Sequence, residues 1–262
     1  MDLSVLTGLY DAYVDTFRGS DGTLSAMMQL KRDHTERVVA NAAEIADGES
    51  FTPEERALSL AAALLHDTGR YEQLKRYNTF RDADSVDHAV FSYDIVREKG
   101  WTGDERILKA VLYHNRRELP EGIDRMTALV SHTVRDADKL DIFTVLEEQV
   151  ANTDWRGDSR AFWNLAISAA PNPEVVLAIE ERRPVDYSLI KSLADFVLIQ
   201  VGWMISDLHF ATSRRLCAER GHLDFRRRFL HEITDDVSID RLCDLAAKEM
   251  GASPPSELGF EV

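Results

Sequence analysis

An all-α fold is predicted by three observations on the sequence. Apolar residues recur at three- and four-residue spacing along most of the chain, alternating strand patterns and Asn-Gly hairpin turns are absent, and the periodic segments carry helix start and stop signals. "HTERVVANAAEIA" puts His34, Val38, Asn41, Ala42 and Ile45 on one stripe. "FTPEERALSLAAALLHD" starts at Thr52-Pro53 with acids in its first turn, and Gly69 is its expected stop. "DSVDHAVFSYDIVREKG" offers Ser85 as a cap and Gly100 as a terminator. "GDERILKAVLYHN" and "RMTALVSHTVRDADKLDIFTVLEEQV" continue the pattern. "AFWNLAISAA", one long helix through "DYSLIKSLADFVLIQVGWMISDLHFATSRRLCAERG", and "SIDRLCDLAAKEM" complete it. The composition softens between Ala169 and Asp186, which reads as a loop-rich joint. The expected division is a core at 1–168 and a C-terminal helical extension at 169–262 packed on it, with the tail "GASPPSELGFEV" on the surface.

Composition narrows the partners. A net charge of -15 over 262 residues argues against a nucleic-acid polymer or a membrane surface, both polyanionic. It leaves room for a small anionic substrate, because a metal or a few arginines outweigh the global field locally. Cys217 and Cys243 are far apart and form no CxxC, so neither a disulfide framework nor a thiolate zinc site is expected. The N-terminus carries acids where a signal peptide carries lysines, and no apolar run is long enough to span a bilayer. The expectation is a cytoplasmic protein.

The histidines point to chemistry. His34, His66, His88 and His114 fall on four successive predicted helices, each on an apolar face. A single histidine so placed is an ordinary core residue. Four are hard to explain separately, and imidazole nitrogens converging between packed helices are what a metal site needs. Carboxylates should join them to balance the metal's charge. Asp67 adjoins His66, and "VRDADKLDIF" offers three more. Asp138 lies one turn after Val134 and one turn before Ile142, so it is the expected ligand, with Asp136 as the fallback. Asp136 and Asp141 otherwise read as part of a solvated face.

The ordered set His34, His66–Asp67, His88, His114, Asp138, with "HTERVVANAAEIA", "LLHDTGR" and "RDADKLD" around it, resembles the HD-domain superfamily of metal-dependent phosphohydrolases, over about Leu24 to Val150. The resemblance implies an HD-domain helical bundle in which His34, His66, Asp67 and Asp138 hold one divalent ion. His88 and His114 would serve a second, with Asp67 bridging. Nitrogen and carboxylate donors without thiolate suit Mn, Fe, Co, Ni or Zn. The sequence departs from the cyclic-dinucleotide-cleaving branch: Asn115 follows His114 where that branch has a second histidine, and its Gly-Tyr-Pro signature is missing.

The activity so implied is metal-dependent hydrolysis of a small, nucleotide-like phosphate ester by activated water. Asp67, Arg70 and Lys139 are the candidate catalytic residues. Arg70, Gln73, Tyr77 and Arg116 are the candidate substrate contacts, with Arg117 and Phe80 close by. A dinuclear-iron oxygenase would use the same ligands, and a non-enzymatic, metal-stabilised signalling or scaffold domain is the third reading. His209 reads as a core or supporting residue, His222 and His231 as surface residues, and "DFRRRFLHE" as a solvated basic face.

Overall fold

The structure is a computed structural model that describes residues 2–157, 162 and 165–251. Among these residues every regular element is a helix, and the only β pairing is an isolated parallel bridge between Ala166 and Ser192. Contacts divide the chain into two compact units, Met1–Asp141 and Ile142–Val262.

In the first unit, α1 (Leu3–Asp15) is capped by Asp2 and α2 (Ala26–Gly48) by Ser25. The stripe His34, Val38, Asn41, Ala42 and Ile45 of α2 is buried as its spacing predicts. α3 (Pro53–Leu65) opens with a full capping box: Thr52 accepts from the Glu55 amide while the Glu55 carboxylate accepts from Thr52, and Pro53 needs no partner there. α3 packs on α2 and on α6 (Glu105–Tyr113), while α5 (His88–Glu98) packs on α4 (Gly69–Tyr77) and α6. α1 is tied to α4 by the Tyr10 and Tyr71 hydroxyls, 2.9 Å apart. α7 (Arg125–Asn152) belongs to this unit up to Asp141 and to the second from Ile142.

Two local expectations are corrected here. Gly69 does not stop α3, which ends at Leu65; it opens α4. Its backbone lies so close to α5 that a Cβ would fall 2.7 Å from the Ser92 nitrogen and 3.0 Å from the His88 oxygen. The cap of α5 is Asp87, whose carboxylate accepts from Ala89 and Val90, and not Ser85. The Ser85 hydroxyl is used elsewhere, donating to the Arg81 carbonyl and accepting from Gln73.

The second unit is built on α9 (Leu193–Ser206), which is apolar nearly all round and buried at Leu193, Val197, Leu198, Val201 and Met204. α8 (Pro173–Glu180), α11 (His222–Ile233) and α12 (Ser238–Gly251) pack on it, and α10 (Ala211–Glu219) packs on α11 and α12. The expected long helix is thus two, broken between Asp207 and Phe210. The expected joint at 169–186 contains α8, which Asn172 caps and Pro173 starts. The expected helix "AFWNLAISAA" is not one at 165–170: Ala166 bonds to the Lys191 oxygen and the Leu193 nitrogen rather than along its own chain. Residues 161, 163 and 164, and the tail 252–262, lie outside the described residues.

The basic segment of α11 also departs from a solvated face. Arg226 is fully buried and donates to Glu147, Gln200 and the Phe143 and His222 carbonyls. His222, expected at the surface, is 2 % exposed and its Nδ1 lies 2.7 Å from Glu147. His231 is exposed, beside Asp240.

Candidate metal centre

Helix ends do much of the positioning. The last carbonyls of a helix have no intrahelical partner. His66 caps α3 and its Nδ1 lies 2.7 Å from the Ala63 oxygen; His114 caps α6 and its Nδ1 lies 2.7 Å from the Val111 oxygen. A carbonyl only accepts, so in both rings Nδ1 carries the proton and Nε2 presents a lone pair. The other two histidines are backed by carboxylates: His34 Nδ1 lies 2.6 Å from Asp141 and His88 Nδ1 2.5 Å from Asp82. The same logic turns their Nε2 atoms inward.

Those four Nε2 atoms converge. His34 and His66 approach to 3.4 Å, and His88 and His114 to 3.0 Å. Asp67 lies between the pairs, with Oδ2 3.6 Å from His34 and 3.7 Å from His66, and Oδ1 3.6 Å from His88 and 3.8 Å from His114. Asp138 Oδ1 is 3.2 Å from His34 and 3.9 Å from His66. Single donor atoms of His34, His66 and Asp138 lie within 4.8 Å of one another, as do those of His66, Asp67 and His114.

The electrostatics follow from burial. It is the main force pushing the His66 and His114 pKa values down, the latter well below the ordinary value, so both are neutral at neutral pH. Burial and Lys31 push His34 down too, but hydrogen bonds with Asp138 and Asp141 outweigh them and raise it. Burial opposes ionisation of Asp67, yet Lys31, the histidines and Arg70 hold it well below the usual carboxylate range. Asp138 is held low in the same way by His34, His66 and His114, against its burial.

This arrangement fits a divalent cation. Imidazole Nε2 atoms face one another, with His66 and His114 neutral, two ionised carboxylates join them, and Asp67 Oδ1 is buried without a hydrogen-bond partner. A cation is the species that resolves all of this at once.

A third group within 4.8 Å, Asp82, Asp87 and His88, is satisfied without a metal. Asp87 caps α5 and also accepts from Asn115, and Asp82 is bonded to His88, Arg70 and Gln73.

The remaining candidates divide. Arg70 is near Asp67, its Nε 3.4 Å from Oδ1, but its Nη1 is committed to Gln73, the Phe80 carbonyl and Asp82. Gln73 is fully buried and its amide donates to Asp82, Ser85 and the Val86 carbonyl, so it braces the loop. Tyr77 is 43 % exposed at the end of α4, Arg116 pairs loosely with Asp87, and Lys139 is buried on α7. Asp136 and Asp141 are buried rather than solvated, and Asp141 also binds Arg37.

Three residues escaped the sequence reading. Lys31, one turn before His34, has its Nζ 2.8 Å from Asp67 Oδ2; the three-residue spacing was the available signal. Asp141 stands three residues after Asp138, also a one-turn spacing. Asp82 lies in an irregular loop, where no periodicity marks it.

The comparisons agree with this centre in extent. The family model described as HD domain matches residues 32–142, a span containing all six candidate donors. No curated protein and no solved structure matches the chain significantly. Residues 32–142 are thus an HD domain.

Proposed function

We propose that the protein is a metal-dependent phosphohydrolase acting on a small, nucleotide-like phosphate ester. The observation that carries this reading is the convergence of four histidine Nε2 atoms on the two carboxyl groups of Asp67 and Asp138. His34, His66, Asp67 and Asp138 would hold one ion, and His88 and His114 a second shared through Asp67. A bound divalent ion supplies a low-pKa water and neutralises phosphoryl charge.

The chain's own residues supply the surroundings. Asp138 has the most exposed side chain of the donor set, at 18 %, and Lys31 and Arg70 are 15 % and 13 % exposed, so these three mark the open side. Lys31 brings a positive charge to that side, where a phosphate would otherwise meet Asp67 and Asp138. Phe80 carries Lys31 and Arg70 over its ring, at 5.5 and 5.8 Å from the centroid, and offers an aromatic face suited to a base. In the reaction, water oxygen bonds to phosphorus, the ester P–O bond breaks, and the leaving alcohol takes a proton.

Elemental analysis of protein purified without chelator, followed by phosphate release from a nucleotide panel, tests this. Bound Mn, Co, Ni or Zn with EDTA-sensitive phosphate release is expected. Asp67→Ala should lose both metal and activity while keeping its helical circular dichroism; a fully active variant refutes the centre. Two tightly held irons with oxygen consumption would transfer the assignment to an oxygenase.

A further inference from the structure

The four histidines are not backed alike. In each proposed ion's set, one imidazole leans on a backbone carbonyl and one on a carboxylate: His66 with Ala63 and His34 with Asp141, then His114 with Val111 and His88 with Asp82. Asp141 belongs to a long helix. Asp82 belongs to a short 3-10 turn, Asp82–Asp84, in the loop between α4 and α5. That loop is nonetheless anchored at the acid itself: Asp82 Oδ1 accepts from Arg70 Nη1 and from Gln73 Nε2, each at 3.0 Å, and Oδ2 takes His88. Arg70 and Gln73 hold the rest of the loop through the Phe80 carbonyl, the Ser85 hydroxyl and the Val86 carbonyl.

The geometry points to Asp82 as the positioning residue of the second ion: it fixes the His88 tautomer and ring so that Nε2 faces Asp67 and His114. The inference rests on the two-ion reading of the centre given above. A carboxylate behind a ligating imidazole both orients the ring and raises its basicity, and losing one weakens binding by about 10- to 100-fold. Asp82 is not itself a donor to the cluster, because both its oxygens are already engaged by protons from three side chains. Arg70 and Gln73 act one step further out, as the clamps that keep Asp82 against His88. The loop that carries Phe80 is thereby connected to the second ion through a single carboxylate.

Manganese titration of the metal-free full-length chain, read by calorimetry and by the electron paramagnetic resonance of unbound Mn²⁺, tests this. The wild type is expected to take up two equivalents. Asp82→Ala should leave the first unchanged and weaken the second by about 10- to 100-fold. Asp82→Asn, which can still accept from Nδ1 but lacks the charge, should fall between. Ser85→Ala removes two hydrogen bonds of the same loop, with Gln73 and with the Arg81 carbonyl, without touching the Asp82 carboxylate, so it serves as the control for a merely structural role. An unchanged second equivalent in Asp82→Ala overturns the positioning role and spares the centre. Equal weakening of both equivalents, or the same selective loss in Ser85→Ala, also overturns it. A folded wild type that binds one ion or none refutes the two-ion reading beneath it.

Discussion

Gly69→Ala sets two physical terms against each other, and the structure decides the sign. Gly69 begins α4, where its φ is not in the left-handed region. On helix propensity alone, alanine should therefore stabilise by up to about 1 kcal/mol. The added Cβ, however, would lie 2.7 Å from the Ser92 nitrogen, 3.0 Å from the His88 oxygen and 3.0 Å from the Phe91 carbonyl carbon. All three are backbone atoms of α5, so no rotamer change relieves them and the helices must separate. Overpacking of this kind costs about 1–3 kcal/mol, and contact with backbone argues for the upper end. The net is a loss of about 2 kcal/mol, or roughly 4–8 °C in Tm for a chain of this size. Because His88 is the first residue of α5, the same displacement should weaken metal binding more than the stability loss explains. Calorimetric melting of the metal-free protein and Mn²⁺ titration measure the two effects. A Tm equal to or above that of the wild type would show that α5 yields at no cost and that the close approach does not position His88.

Two further predictions concern the second unit. Arg226→Met should cost about 3–5 kcal/mol in urea unfolding, since it strands Glu147, Gln200 and two carbonyls that a buried guanidinium now serves, and Arg226→Lys should recover little because an ammonium lacks the planar fork; a loss under about 1 kcal/mol would contradict it. Burial works to raise the Glu147 pKa, but hydrogen bonds from His222 and Arg226 outweigh it and hold the group below its usual 4.5. Its stabilising contribution is therefore complete above pH 4.5 and lost as pH falls through the folded value, so the stability gap between wild type and Glu147→Gln should narrow on that acid limb. A gap that stays constant through the limb would refute the assignment.

What the sequence made legible was whatever has a period or a short-range grammar. The α2 stripe, the Thr52-Pro53 start and the association of four histidines with four helices depend on spacing within one or two turns, and they are found, with His34 and His88 inside helices and His66 and His114 at their C-caps. What escaped depends on contacts between elements. Gly69 looks like a terminator in sequence because glycine so often ends helices, whereas here its missing side chain admits another helix's backbone. Ser85 looks like a cap, but its hydroxyl is taken by Gln73 and Arg81, and Asp87 fills the role. Arg226 looks like part of a solvated basic run, and only the half-buried Glu147 and the buried Gln200 around it reveal otherwise. The acids of α7 show the limit most plainly. Composition marks Asp136 and Asp141 as a wet face, yet both are buried, because α7 meets polar partners on more than one side.

The donor cluster and the helical frame solve each other's difficulties. Helices α3 and α6 end inside the first unit, where their last carbonyls would lack water; a histidine at each cap supplies the missing proton. That very bond forces the opposite nitrogen of the ring to be a bare acceptor, so the His66 and His114 lone pairs are turned toward one buried point. Asp67 sharpens the conflict by adding an ionised carboxylate with one unpartnered oxygen. Each step that satisfies the backbone thus concentrates lone pairs at the same point, and a cation there settles all of them together. Since α2, α3, α5, α6 and α7 each contribute a donor, an ion bound at that point would also cross-link the helices that create it.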